Sequence, residues 1–178
     1  MSVRTFVTGG ARSGKSRFAE RLALELGGES VLYVATAEAP EDDAEMWQRI
    51  EDHRRGRPAG WDTFEISYGP SGASLPDAAR TAGGSRALLV DSLTLWISGR
   101  MYAGSDEEVL GELDVFLSDA SGLGPPVVVV SDEVGLGLVP ESPEGRRFRD
   151  LLGLANQRVA AAAEEVYLCV SGVPLRLR

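Results

Sequence analysis

Phe6-Val-Thr-Gly9-Gly-Ala-Arg-Ser-Gly14-Lys15-Ser16-Arg-Phe18 joins an apolar run to a helical one through a glycine loop. Val3 to Thr8 is a short apolar run of the kind that forms a buried strand, and Gly9-Gly10 breaks it. From Ser16 to Leu26 the apolar residues Phe18, Leu22, Ala23 and Leu26 fall at helical spacing, and Gly27-Gly28 stops the helix. Between strand and helix, Gly9, Gly10, Ala11, Arg12, Ser13, Gly14, Lys15 and Ser16 fit G-x-x-x-x-G-K-[ST]. The glycines allow a turn tight enough for successive backbone N–H groups to converge on one anion. The helix start near Gly14 adds the positive end of its dipole. Lys15 is then expected at the β and γ phosphates of a nucleoside triphosphate, and the Ser16 hydroxyl at Mg²⁺.

Composition sharpens that reading. The chain has 178 residues, a formal net charge of −9, and 18 lysines plus arginines, of which Lys15 is the single lysine. Arginine cannot readily replace a compact ammonium that slides between phosphates, so the placement of that one lysine inside a glycine loop points to phosphate chemistry. The acidic balance excludes general affinity for nucleic acid or anionic membrane. No apolar run reaches the roughly 20 residues that span a bilayer. The lone cysteine, Cys169, sits in the apolar run Val166 to Val170, which predicts a buried thiol and a cytoplasmic setting.

Further along, apolar strands alternate with helices. Strands are expected over Val31–Ala35, Phe64–Ile66, Arg86–Asp91, Val127–Val130, Val166–Val170 and Leu175–Arg178. Helices are expected over Glu41–Arg55, Leu75–Ala82, from Leu93 through Ile97, Asp106–Ser121 and Glu144–Ala163, with a glycine-rich loop from Asp132 to Gly137. Continuous apolar strands interleaved with helices predict a mostly parallel sheet with helices on both faces, as one P-loop α/β domain over residues 1–178.

A phosphate loop of this kind needs an acid at the end of another strand to hold the metal's water shell. Asp91, closing Arg86-Ala-Leu-Leu-Val-Asp91, is the first candidate, with Asp132 and Glu133 competing; each can also be read as a cap for the element that follows. The only histidine, His53, lies in Glu51-Asp-His53-Arg-Arg-Gly-Arg-Pro58. Neutral imidazole can attack the α-phosphate of a nucleoside triphosphate, release pyrophosphate and leave a phosphoramidate. Arg54, Arg55 or Arg57 can stabilise the phosphate charge during that exchange, although basic residues also suit a solvated helix C-terminus.

These motifs together resemble one family. Phe6 to Arg17, Leu32-Tyr-Val-Ala-Thr36, Arg49 through His53 to Pro58, Ser131-Asp-Glu-Val-Gly-Leu-Gly-Leu-Val-Pro140, Phe148-Arg-Asp150, Asn156-Gln-Arg158, Ala160 to Val166 and Val170-Ser-Gly172 are similar, in order, to the bifunctional adenosylcobinamide kinase/adenosylcobinamide-phosphate guanylyltransferases. The resemblance implies a RecA-like fold, ATP or GTP as substrates, and two reactions in cobalamin nucleotide-loop assembly. Adenosylcobinamide would be phosphorylated; GMP would then pass from GTP through His53 to adenosylcobinamide-phosphate. It also implies a homotrimer, and nucleotide contacts at Thr36, Ala37, Glu38, Glu65 and Asp91, with Glu65 matched to the two-donor edge of guanine. Some relatives carry two adjacent histidines where this chain has Asp52-His53, and a small insertion falls around Ala39 to Asp43.

Overall fold

The computed structural model describes residues 3–38, 43–68, 72–122 and 124–178; the side chains at positions 45, 46, 49, 52 and 53 lie outside the described set. Seven strands form one sheet: β1 (Val3–Gly9), β2 (Val31–Ala35), β3 (Asp62–Glu65), β4 (Ala87–Asp91), β5 (Val127–Asp132), β6 (Ala163–Val170) and β7 (Val173–Arg176). Their order is β3-β2-β4-β5-β1-β6-β7, all parallel except the hairpin partner β7. The helices are α1 (Lys15–Gly27), α2 (Ala44–Gly56), α3 (Leu75–Thr81), α4 (Leu93–Arg100), α5 (Asp106–Gly122) and α6 (Pro143–Ala162), with a 3₁₀ turn over Ala82–Gly84.

The period of two explains why the central strands are apolar throughout. Val128, Val130, Val31, Tyr33 and Leu89 point to the face covered by α1, where they meet Ala19 and Ala23. Val127, Val129, Leu32, Val34, Leu88 and Val90 point to the other face, where Trp96, Leu113, Phe116, Leu151 and Leu152 of α4, α5 and α6 cover them. Each fully buried valine or leucine contributes about 1.5–3 kcal/mol of hydrophobic stabilisation before chain entropy is subtracted.

Four helices begin on a serine that closes the first turn, including α5, where Ser105 and Glu108 bond reciprocally. Ser74 forms a reciprocal capping box with Asp77, Ser92 accepts from the Leu95 amide, and Ser142 accepts from the Gly145 amide ahead of Pro143. α1 differs: its N-cap is Gly14 in the left-handed region (φ 89°), and no side chain accepts from its first amides. The donors that the serine caps satisfy in those helices therefore stay available at the start of α1.

Several boundaries depart from the sequence expectation for visible reasons. β6 begins at Ala163 rather than Val166, because Glu164 and Glu165 both reach Arg4 of β1, at 2.6 and 3.4 Å, and so take part in the β1–β6 pairing despite their charge. β5 extends two residues past the four valines, so Asp132 belongs to the strand and pairs with Gly9 instead of opening a loop. β7 starts at Val173, directly after the Ser171-Gly172 turn.

Candidate active site

The carboxyl ends of β1, β4 and β5 lie side by side, which brings the phosphate loop, Asp91 and Asp132 to one rim of the sheet. The loop's shape is set by backbone contacts. Ser13 N–H donates to the Gly10 carbonyl at 3.2 Å, Glu133 N–H to the Gly9 carbonyl at 3.1 Å, and Gly172 N–H to the Ser13 carbonyl at 2.9 Å. A side chain at position 9 would meet the Cys169 carbonyl oxygen at 2.5 Å; one at 14 would meet Cα of Gly172 at 3.2 Å. Close approach to β6 and to the β6–β7 turn thus demands glycine at both positions.

Lys15 Nζ lies 2.5 Å from Asp132 Oδ1 and donates to the Gly10 carbonyl at 3.3 Å. The Ser16 hydroxyl makes a long bond of 3.5 Å to Asp91 Oδ1, and the Tyr33 hydroxyl donates to the other carboxylate oxygen at 3.2 Å. Of the three acids considered from sequence, Asp91 therefore faces Ser16 and Asp132 faces Lys15. Glu133 instead accepts from the Gly135 amide at 2.9 Å and closes the turn after β5. Thr94 orders this rim from below, accepting from the Asp132 amide at 2.7 Å.

A cavity of about 620 Å³ opens over these groups. Ala11, Arg12, Lys15 and Ser16 form one wall; Ile50 and Arg54 of α2, with Arg57 and Glu65, form the opposite one. Arg54 pairs with Glu65 across that wall, and the Arg57 guanidinium stacks on the Tyr33 ring with 3.3 Å to the centroid. Arg55 turns outward and pairs with Glu51 at 3.2 Å on the helix surface, so two of the three arginines of this segment line the cavity. His53 falls on the last full turn of α2, beside Arg54, and its side chain lies outside the described set. Ala37 lines the cavity at its edge, while Glu38 is exposed beyond it. The Thr36 hydroxyl is buried: it donates to the Ser92 carbonyl at 2.7 Å and accepts the Ser92 amide at 2.8 Å, tying the end of β2 to that of β4.

Sequence reading passed over Glu20 and Tyr33. Glu20 sits one turn beyond Ser16 on the same face of α1, half-buried, and its carboxyl is pushed up to about 7 by burial first and by the charge of Asp91 second, against Arg57 and Arg17. Tyr33 looked like one more apolar strand residue. The available signal was a hydroxyl in a strand destined to end beside the loop, together with an acid four residues after Ser16.

The sheet order, the loop with its uncapped helix and the acid-lined rim define a P-loop NTPase of the RecA-like class. The flagellar accessory protein FlaH from Methanocaldococcus jannaschii has a similar fold, with a TM-score of 0.51 at 14% identity over 93% of this chain and 70% of that one. Residues 5–177 match the family described as Cobinamide kinase / cobinamide phosphate guanyltransferase, CobU, and the chain belongs to that family. It is 41% identical over 176 residues to the bifunctional adenosylcobalamin biosynthesis protein CobP of Pseudomonas aeruginosa, covering 99% of this chain and 98% of that relative. It is also 37% identical over 188 residues to the bifunctional adenosylcobalamin biosynthesis protein CobU of Salmonella typhimurium, covering 97% of this chain and 98% of the relative.

Proposed function

We propose that the protein phosphorylates adenosylcobinamide with ATP or GTP and then transfers GMP from GTP, through a phosphoramidate on His53, to adenosylcobinamide-phosphate. Family membership supports both activities. The observation that carries the residue assignment is the single cavity with Lys15, Ser16 and Asp91 on one wall and α2, which bears His53, on the other.

In the first reaction the acceptor hydroxyl oxygen bonds to the γ-phosphorus and the bond to the β–γ bridging oxygen breaks. That electron pair stays on the nucleoside diphosphate, and the hydroxyl proton passes to a neighbouring carboxylate or to water. Lys15 and the uncapped amides of α1 stabilise the charge that builds on the phosphates. Ser16 Oγ and Asp91 Oδ1, at 3.5 Å, fit one Mg²⁺, which takes one or two protein oxygens together with phosphate oxygens and water. That ion would neutralise phosphate charge; among the described residues no group of three His, Cys, Asp or Glu side chains forms a dedicated metal cage.

In the second reaction an imidazole nitrogen of His53 bonds to the α-phosphorus of GTP and pyrophosphate leaves. A phosphate oxygen of adenosylcobinamide-phosphate then attacks the same phosphorus, the P–N bond breaks, and adenosylcobinamide-GDP is released. In this reading Arg54 and Arg57 offset phosphate charge and Glu65 reads guanine N1–H and N2–H₂; that all three line the cavity supports it. The same reading includes a cytoplasmic homotrimer. Exposed apolar side chains at Leu136, Leu138 and Val139 after β5, and at Val173, Leu175 and Leu177 around β7, supply surface for neighbouring copies to cover. No described helix is long and apolar enough to cross a membrane.

Incubation with α-labelled GTP tests the assignment. An acid-labile, alkali-stable covalent label is expected on the wild-type protein and not on His53→Ala, which should retain phosphorylation of adenosylcobinamide. Equal loss of both activities in His53→Ala would remove the histidine from the chemistry.

A further inference from the structure

Phosphorylation of an alcohol sets a proton free: the acceptor hydroxyl must lose it as its oxygen bonds to the γ-phosphorus. Among the described residues, Glu65, Asp91, Asp132 and Glu133 are the carboxylates that line the main cavity. Asp91 faces Ser16 and accepts from the Tyr33 hydroxyl, and a Mg²⁺ held there would make it a weak base. Glu133 is committed to the Gly135 amide. Glu65 lies on β3, two strands beyond β4, and pairs with Arg54. Asp132 is the carboxylate that these assignments leave over.

Its placement suits the task. Asp132 ends β5, which lies between β1, the strand that leads into the phosphate loop, and β4, the strand that ends in Asp91. It therefore sits on the floor of the cavity, between the two walls. Both backbone polar groups of Asp132 are tied down from the helices behind the sheet. Its amide donates to Thr94 Oγ of α4 at 2.7 Å, and its carbonyl accepts from Asn156 Nδ2 of α6 at 3.1 Å. The side chain stays 25% exposed toward the cavity, with Oδ1 2.5 Å from Lys15 Nζ. Leu95 and Val134 line the same part of the cavity and give it an apolar edge suited to the alkyl chain of an alcohol. A carboxylate next to a triphosphate would ordinarily be repelled. Here the ammonium expected at the β and γ phosphates is also the partner of Asp132, so one cation holds the acid and the transferring group on its two sides.

We propose that Asp132 is a catalytic residue of the phosphorylation step, taking the proton of the acceptor hydroxyl, and that it has no such part in guanylyl transfer. The hydroxyl oxygen bonds to the γ-phosphorus, its proton passes to the Asp132 carboxylate, and the bridging-oxygen bond breaks with its electron pair left on the nucleoside diphosphate. When the products leave, the carboxylic acid gives its proton to water and the ion pair with Lys15 re-forms. The second reaction needs no such acceptor. A neutral imidazole attacks through a nitrogen lone pair, and the phosphate oxygen that follows is already anionic, so neither nucleophile carries a proton on its attacking atom.

This inference rests on the two-activity reading, and its test separates the two. Asp132→Asn keeps the shape of the side chain and cannot take the proton. Its kcat for adenosylcobinamide phosphorylation should fall by about 10²–10⁴-fold, the usual worth of a positioned base, with the KM of ATP little changed. Its histidine labelling by α-labelled GTP, and the Mg²⁺ concentration that half-saturates phosphorylation, should stay at the wild-type level. Asp132→Glu, which restores a carboxylate on a longer arm, should fall between wild type and asparagine. A wild-type kcat in Asp132→Asn would overturn the proposal. So would equal loss of phosphorylation and labelling, which would make Asp132 a support for the loop, or a loss relieved by added Mg²⁺, which would make it a metal ligand. Failure of the wild-type protein to phosphorylate adenosylcobinamide or to take up label would instead overturn the two-activity reading.

Discussion

The two walls of the main cavity are built on different principles. The phosphate-loop wall is fixed by backbone: Gly9 lies against the Cys169 carbonyl, Gly14 against Gly172, and loop amides and carbonyls bond to β5 and to the β6–β7 turn. The α2 wall is fixed by long side chains, through Arg54 to Glu65 and Arg57 over Tyr33. Glu65 is 62% and Arg54 45% exposed at the side chain, so their ion pair is worth about 0–1 kcal/mol and can be exchanged for a ligand at little cost. Phosphate binding is thus held rigid and shared, whereas the groups proposed for guanylyl transfer can rearrange around an incoming nucleotide. Substitutions in the first wall should affect both reactions, and substitutions in the second only one.

Lys15→Ala is the largest break in that contrast. It removes the ammonium of the phosphate loop that borders the cavity, and phosphorylation should fall by about 10²–10³-fold in kcat, as for loss of one preorganised transition-state contact. Histidine labelling should fall with it, because the triphosphate is held by the same loop in both reactions. Arg54→Ala should lower labelling about tenfold and leave phosphorylation near wild type. Steady-state phosphorylation and single-turnover labelling on the same preparations decide the matter. If Arg54→Ala depresses both equally, the division between the walls is wrong.

A smaller effect is expected from the backbone itself. Gly9→Ala would push a methyl to 2.5 Å from the Cys169 carbonyl oxygen, between two paired strands that cannot move apart cheaply. A loss of about 1–3 kcal/mol in unfolding free energy follows from such overpacking. Gly10→Ala, where nothing lies within 4 Å, provides the matched control and should change stability little. Denaturant midpoints of the two variants that coincide would show that the β1–β6 contact is not what fixes the loop.

The same distinction explains how much of the molecule was legible in the sequence. The strands of the central sheet, the helix starting on the glycine loop and the apolar face of α5 follow from local periodicity, and the structure has them within a few residues. Asp91 could be placed because it closes an apolar run. The Asp132–Lys15 contact could not, because it depends on β5 pairing with β1 through Gly9, a register set by tertiary packing. Glu164 and Glu165 fell between the expected helix and strand, because their partner Arg4 on β1 is not visible in local periodicity.

Glu20 offers the finest test, because it is where the two walls touch electrostatically. Its carboxyl is raised to about 7, mainly by burial and then by Asp91, while Arg57 from the α2 side and Arg17 pull it down. Between the ordinary carboxylate value near 4.5 and about 7, the folded protein keeps a proton that the unfolded chain has released. Stability contributed by this group is therefore complete below pH 4.5 and is lost as pH rises through 7. Glu20→Gln, which cannot ionise, should be close to wild type at pH 4.5 and more stable than wild type at pH 8. After allowance for solvent screening of a half-buried group, the gain is on the order of 1 kcal/mol. Thermal melts in magnesium-free buffer across that range measure it. A constant difference between variant and wild type would show that Glu20 titrates normally and that Asp91 and Arg57 do not meet through it; in Arg57→Ala the wild-type decline should steepen, since the cation that opposes it is gone.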